Sequence, residues 1–397
     1  MPITAIERNK VVEHWEKILS ESIATPEALS PHFPIDEGEI RRVASLYPMQ
    51  INPYFLGLIK EKGNGLYRQA IPDLCEITEK DGFEDPLNEE GLSPVPGLTH
   101  KYPDRVLFLV SSRCAMYCRF CNRKRKVGRP SMVTRETIRE GLSYIRGNKK
   151  VRDVLLSGGD PLLLSDLELF RILCELRTLS HVEVIRIGTR VPCTLPQRIT
   201  PQVVKMLKGF HPLYINTHFN HPSEITPEAS LACARLADAG IPLGCQTVLL
   251  KGVNDDPLVM KALMHKLISI RVRPYYLFQA DLVRGTSHFW TPLEKGLEIF
   301  SRLQGHTSGL CVPRFMIDLP GGGGKIPLVP EYVGESSGGK LLIKNYIGNE
   351  YLYPLLKERQ KQVQGSEKVR DRDGKGPKPY HQGMRTQEKE RRMTWLR

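Results

Sequence analysis

No apolar run in this chain approaches the roughly 20 residues that a membrane-spanning helix needs. The N-terminal stretch MPITAIERNKVVEHWEKILSES mixes acids and bases where a secretory leader would be apolar. A cytoplasmic protein with no membrane partner is expected. Paired cysteine knuckles are also missing, since the single C-x2-C belongs to a group of three cysteines, and this counts against a closed structural zinc site. Internal repeats are not evident. Hydrophobic residues at 40% and charged residues at 25% exclude a mostly disordered, collagen-like or coiled-coil chain. The 397 residues suffice for one large domain or two to three of roughly 150 residues.

The chain does carry an excess of positive charge, +13, which suggests a polyanionic partner until the charge is located. From Leu355 to Arg397 there are 13 Lys and Arg against 6 Asp and Glu, leaving 44 basic against 38 acidic residues in the rest. The basic balance is mostly a property of the tail, and a nucleic-acid partner is not expected. Nine cysteines in a cytosolic chain suggest ligands, reactive thiols or small buried hydrophobes in preference to disulfides.

Residues 1–95 read as a helical segment, with charged amphipathic stretches around Ile6–Leu19 and Glu37–Tyr47. Pro94, Pro96 and Pro103 then favour extended backbone and mark a boundary. Beyond it, six apolar runs (RVLFLVSS, VRDVLLSGG, VEVIRIGT, PLYINTHFN, PLGCQTVLL and RPYYLFQ) read as buried strands. They alternate with helical patterns at 134–147, 165–179, 200–210, 226–239, 256–270 and 291–304, mostly opened by Thr, Ser or Asp. Six strand–helix units with right-handed crossovers predict an α/β fold, a parallel sheet curled into a partial barrel, with functional residues at the C-terminal strand ends. An open doubly wound sheet is the alternative. The expected body spans 96–330, followed by a C-terminal extension over 331–397 that ends in the basic tail.

In SSRCAMYCRFCNRKRK, Cys114, Cys118 and Cys121 stand at C-x3-C-x2-C directly after the first apolar run. Three thiolates can hold a [4Fe–4S] cluster and leave one iron open to a ligand, whereas an electron-transfer ferredoxin wants four. Zinc completed by a distant ligand, or free thiols, are the alternatives. The spacing, with Tyr117 and Phe120 beside the cysteines, resembles the radical S-adenosylmethionine superfamily. There the open iron chelates S-adenosylmethionine, whose reductive cleavage gives a 5′-deoxyadenosyl radical, and the fold is a partial (β/α)6 barrel. Ser157, Gly158, Gly159 and Asp160 in DVLLSGGDP correspond to that superfamily's glycine-rich motif near the S-adenosylmethionine amino group.

DLPGGGGKIP sets Lys325 behind four glycines, where backbone can approach a flat or anionic ligand closely. A phosphate-binding P-loop fails, because Leu319 stands where it needs glycine and Ile326 where it needs Ser or Thr. A lysine so placed can carry pyridoxal phosphate as a Schiff base. With SPVPGLTHKYPDRV, LPQRITP, NTHFNHPSEIT, ISIRVRPYYLFQADL and GHTSGLCVP, the resemblance narrows to the lysine 2,3-aminomutase family over about residues 45–350. It implies that Lys325 carries pyridoxal phosphate and that Lys101, Tyr102 and Arg105 hold it, Lys101 replacing the family's usual arginine. It further implies that His218 and Gln246, at strand ends, contact S-adenosylmethionine.

The same resemblance assigns Arg123 to the substrate α-carboxylate and Asp281 and Asp318 to the ε-ammonium of lysine. Arg123 could otherwise belong to a solvated basic run, and either acid to a cap or loop. A buried ammonium without anionic partners is costly, so two acids favour a cationic substrate. Arginine fits as well as lysine by charge. The implied reaction is a radical shift of the 2-amino group of L-lysine to C3, giving β-lysine. An electron donor such as flavodoxin or ferredoxin and a homo-oligomer are also implied. Two features depart from the family. Asp256 stands where clostridial-type members place a zinc-binding cysteine, and no cysteine follows Cys311, so the intersubunit zinc site is expected to be absent. The rivals are a radical enzyme modifying RNA or protein, and a metal-bearing binding module.

Overall fold

In the computed structural model, the structure describes residues 13–337 and 339–355. The start of the 6–19 stretch and nearly all of the basic tail lie outside the described residues. No helix among them is long and apolar enough to cross a membrane.

The body is one nine-stranded sheet whose spatial order follows the sequence. Its strands are β1 (Leu98–Tyr102), β2 (Arg105–Ser111), β3 (Asp153–Gly158), β4 (Val184–Gly188), β5 (Leu213–Thr217), β6 (Leu243–Leu249), β7 (Arg273–Gln279), β8 (Arg314–Leu319) and β9 (Gly324–Pro327). Strands β2 to β8 are parallel, and β1 and β9 are antiparallel edges. The six expected strands are all present. β8 is a seventh parallel strand, from the segment RFMIDL, which lies inside the expected 96–330 body but is not among the six expected strands.

Side chains alternate between an apolar layer under the helices and a central cavity with many polar groups. Phe108, Val154, Leu156, Ile185 and Leu243 are buried toward the helices, each contributing about 1.5–3 kcal/mol. Their neighbours Arg105, Leu107, Leu155, Ser157, Gln246 and Val248 line a central cavity. The helices start where their caps predict. Thr134, Ser165, Thr200 and Thr226 each accept from the N3 amide of the helix that follows, and such a cap is worth about 1 kcal/mol. Asp256 caps Pro257–Ser269, accepting from Leu258 and Val259 amides at 2.7 and 3.2 Å.

Although β1 and β9 are the two ends of the sheet order, they face each other. The Lys325 amide of β9 donates to the Tyr102 hydroxyl of β1 at 3.1 Å, and Lys101 Nζ of β1 lies 2.9 Å from Oδ1 of Asp318 on the neighbouring β8. Curling has brought the edges together, and side chains bridge a seam where no ladder forms. The barrel is therefore partial, as expected.

Residues before β1 form short helices, including Glu37–Leu46, Pro53–Lys62 and Asn64–Ala70. Trp15, Leu29, Ile40, Phe55 and Leu66 from this segment join the same hydrophobic core as the strands. A three-stranded antiparallel meander, β10 (Val333–Ser337), β11 (Lys340–Lys344) and β12 (Glu350–Pro354), follows the barrel.

Candidate active site

The loop after β2 carries the three cysteines, and the N-terminal helices hold it. Gln50 and Asn52 donate to the carbonyls of Cys114 and Ala115 at 2.8 and 3.0 Å, and the Arg119 amide donates to Gln69 O at 2.9 Å. Arg119, itself buried, forks onto the buried Glu76, with Nε–Oε1 2.9 Å and Nη2–Oε2 2.5 Å. All three cysteines line the cavity. Burial raises the Cys114 thiol well above its ordinary value and that of Cys121 to about 11, so binding iron must supply the free energy of deprotonation. Among the described residues, no three His, Cys, Asp or Glu converge closely enough to hold a single metal ion.

At the end of β3, Gly158 has φ +127°. A Cβ there would overlap the Ser111 carbonyl oxygen, and one on Gly159 the Arg113 carbonyl oxygen. The two strand-end backbones touch, which only glycine permits. Gly158→Ala is expected to force β2 and β3 apart, with less cluster bound per chain by iron content and absorbance; unchanged iron content would contradict it. Asp160 has both carboxylate oxygens engaged, by Leu162 and Arg190 amides at 3.0 and 2.8 Å and by the Thr189 hydroxyl. Its side chain braces the turn, and burial pushes its carboxyl up to about 6.

His218 lies just past β5 with Nε2 shut off from solvent and without a protein partner. Burial, then the Arg190 guanidinium, lowers its imidazole to about 3, so it stays neutral. Gln246 sits in the middle of β6 rather than at its end, on the face turned to the cavity. The reach of the site down the barrel interior explains the difference.

Asp318 and Lys325 are direct cross-strand partners in the hairpin β8–β9. Gly321, Gly322 and Gly324 have positive φ, so the glycine run serves first to reverse the chain tightly. Asp318, buried, bridges Lys325 Nζ and Lys101 Nζ. The Arg105 guanidinium stacks 3.9 Å from the Tyr102 ring centroid.

Arg123 is not free. Its guanidinium forks onto Glu89, with Nε 3.0 and 3.1 Å from the two oxygens and Nη2 2.5 Å from Oε1. Burial raises the Glu89 carboxyl, but Arg123, Lys126 and Arg125 outweigh it and hold the group below its ordinary value. The RKRK run is likewise not a solvated face. Lys124 pairs with Glu76 at 2.7 Å, Arg125 with Asp85 at 2.9 Å and Lys126 with Glu90 at 2.9 Å. Asp281 follows β7 and accepts from Asn122 Nδ2 at 3.0 Å. Burial pushes its carboxyl up to about 6, against the Asn122 hydrogen bond.

One cavity of about 600 Å³ is lined by Cys114, Cys118, Cys121, Arg123, Ser157, Gly158, Gly159, Asp160, His218, Gln246, Asp281, Asp318, Lys325, Lys101, Tyr102 and Arg105. Every site residue expected from sequence is there. Sequence reading missed Glu89 and Asn122, for which the only available signals were an acidic stretch, NEEG, and adjacency to Cys121.

Residues 108–262 match the family model described as the radical SAM superfamily, and residues 300–373 match one described as lysine-2,3-aminomutase. An L-lysine 2,3-aminomutase from Methanococcus maripaludis is 51% identical over 356 residues, covering 86% of this chain and 82% of that protein. One from Clostridium subterminale is 51% identical, covering 84% and 82%. A glutamate 2,3-aminomutase from Clostridioides difficile is 42% identical, covering 86% and 83%.

Proposed function

The chain belongs to the lysine 2,3-aminomutase family of radical SAM isomerases, and from that premise we propose that it moves the 2-amino group of L-lysine to C3, giving β-lysine. The observation that carries this reading is the single cavity, which joins three thiols at one end to a lysine, two further cations and two acids at the other.

The residues fit the implied groups. The three cysteines would hold a [4Fe–4S] cluster; the close-packed Gly158 and Gly159, the unpartnered His218 Nε2 and Gln246 would receive S-adenosylmethionine. Lys325 would hold pyridoxal phosphate, with Lys101 and Arg105 as phosphate cations and Tyr102 beside them. When bound, these groups supply a carbon radical that takes and returns the C3 hydrogen and a conjugated ring through which the nitrogen shifts.

The protein's part is charge placement, orientation and exclusion of water. Lys325, held against Asp318, would carry pyridoxal phosphate through its side-chain nitrogen. With Lys325 and Lys101 turned toward pyridoxal phosphate, Asp318 would have to share both of its cations with that group. The distal ammonium of the substrate restores the balance, with Asp281 as the second acid. Arg123, aligned by Glu89, offers its remaining edge to the α-carboxylate.

Anaerobic protein given dithionite, S-adenosylmethionine, pyridoxal phosphate and L-lysine is expected to form β-lysine. Zinc in place of iron–sulfur absorbance would refute the reading, and preferential formation of β-arginine would change the substrate. A pH dependence follows from Asp281. An acid with its carboxyl near 6 is ionised above that value, so kcat/KM for lysine should fall as pH drops through about 6 and level off above. The groups facing it are Asn122, Asp318, Lys325 and Arg123. A profile flat down to about pH 5 would exclude Asp281 as a substrate acid.

A further inference from the structure

The geometry points to Asn122 as the residue that sets selectivity for a cationic side chain, by holding Asp281 in the orientation that receives it. This rests on the reading of Asp281 as a substrate acid. Among the described residues, the amide of Asn122 makes the one side-chain hydrogen bond to Asp281, Nδ2 to Oδ2 at 3.0 Å across 159 residues of sequence. Oδ1 is left for another donor. A half-buried carboxylate with one oxygen fixed and one open is a directed acceptor; without the amide it would be free to rotate about its side-chain bonds.

Position strengthens the argument. Asn122 and Arg123 are consecutive, and both line the cavity. Arg123 is fixed by Glu89, and Asn122 fixes Asp281. One dipeptide therefore controls the two charges that an α-amino acid with a distal cation would meet at its opposite ends. The 281–284 loop is tied down independently, since the Phe83 amide donates to Leu282 O and the Arg284 amide to Phe83 O, both at 2.9 Å. The backbone there does not need Asn122, so the amide acts on the side chain of Asp281. Asn122 is a positioning residue, acting through the carboxylate.

The test compares L-lysine with L-norleucine, which matches it in length but lacks the ammonium. In Asn122→Leu, the KM for L-lysine is expected to rise about 10- to 100-fold, the range for losing a hydrogen bond to a charged group. The kcat should change far less, and the inhibition constant of norleucine should be unchanged or lower. Asn122→Ala, which removes the amide without adding bulk, should show the same selective loss and guards against a folding failure of the first variant. Equal weakening of lysine and norleucine, or loss of iron–sulfur absorbance in both variants, would assign Asn122 to the cysteine loop alone and overturn the inference. An unchanged KM for lysine would also overturn it, with the proposed function intact. Wild-type protein that converts no L-lysine would remove both.

Discussion

Lys325→Ala is expected to reduce the proposed formation of β-lysine by on the order of 10³-fold or more, the scale lost when a tethered reactant becomes a free one. The visible absorbance that pyridoxal phosphate acquires on joining a protein amine should vanish, while the iron–sulfur absorbance stays. The separation is structural. Lys325 lies on the edge strand β9, and the cysteines lie on the loop after β2, braced by Gln50, Asn52 and Glu76. The substitution also removes one of the two ammonium groups on Asp318, leaving Lys101 to hold it. A variant that loses cluster and pyridoxal phosphate together would mean that the two ends of the cavity are one folding unit.

Glu76→Gln is expected to cost about 3–5 kcal/mol of stability, the usual penalty for removing one partner of a buried ion pair. Glu76 is buried beneath the cysteine loop and receives both Arg119, between the second and third cysteines, and Lys124. Gln would keep the shape and leave two buried cations facing a neutral group. Thermal or denaturant unfolding would measure the loss, and reduced iron content should accompany it. Loss of less than about 1 kcal/mol would contradict the pairing. Acid should act on the same group. Burial raises the Glu76 carboxyl but Arg119 and Lys124 bring it below its ordinary value. Its contribution is therefore complete above the unfolded value, about 4.3, and disappears as pH falls through the lower folded one.

Much of this was legible in the sequence for local reasons. Caps such as Thr134 and Thr226, and prolines such as Pro201 and Pro257, act within one turn, so the helix starts could be read directly. The cysteine spacing and the run before Lys325 are also short-range signals. β8 was missed because RFMIDL is followed by glycines that turn it into a hairpin, whereas the other strands are followed by helices. The partners of the basic run were illegible because pairing depends on the fold: Glu89 is 34 residues from Arg123 and Glu76 is 48 from Lys124, in an irregular segment and a four-residue helix. Gln246 was expected at a strand end because a filled barrel interior is the usual case; here the interior is the cavity.

The side-chain seam between β1 and the β8–β9 hairpin also orders events on the ribosome. Lys101 and Asp318 are 217 residues apart, and Tyr102 and Lys325 are 223 apart. At about 5–20 residues per second, Cys121 is made on the order of 10–40 s before Lys325. The thiol loop thus waits, without the hairpin that completes its cavity, for longer than most small domains take to fold. Iron delivered during synthesis would meet an open loop; iron delivered afterwards must enter through the mouth of a closed one.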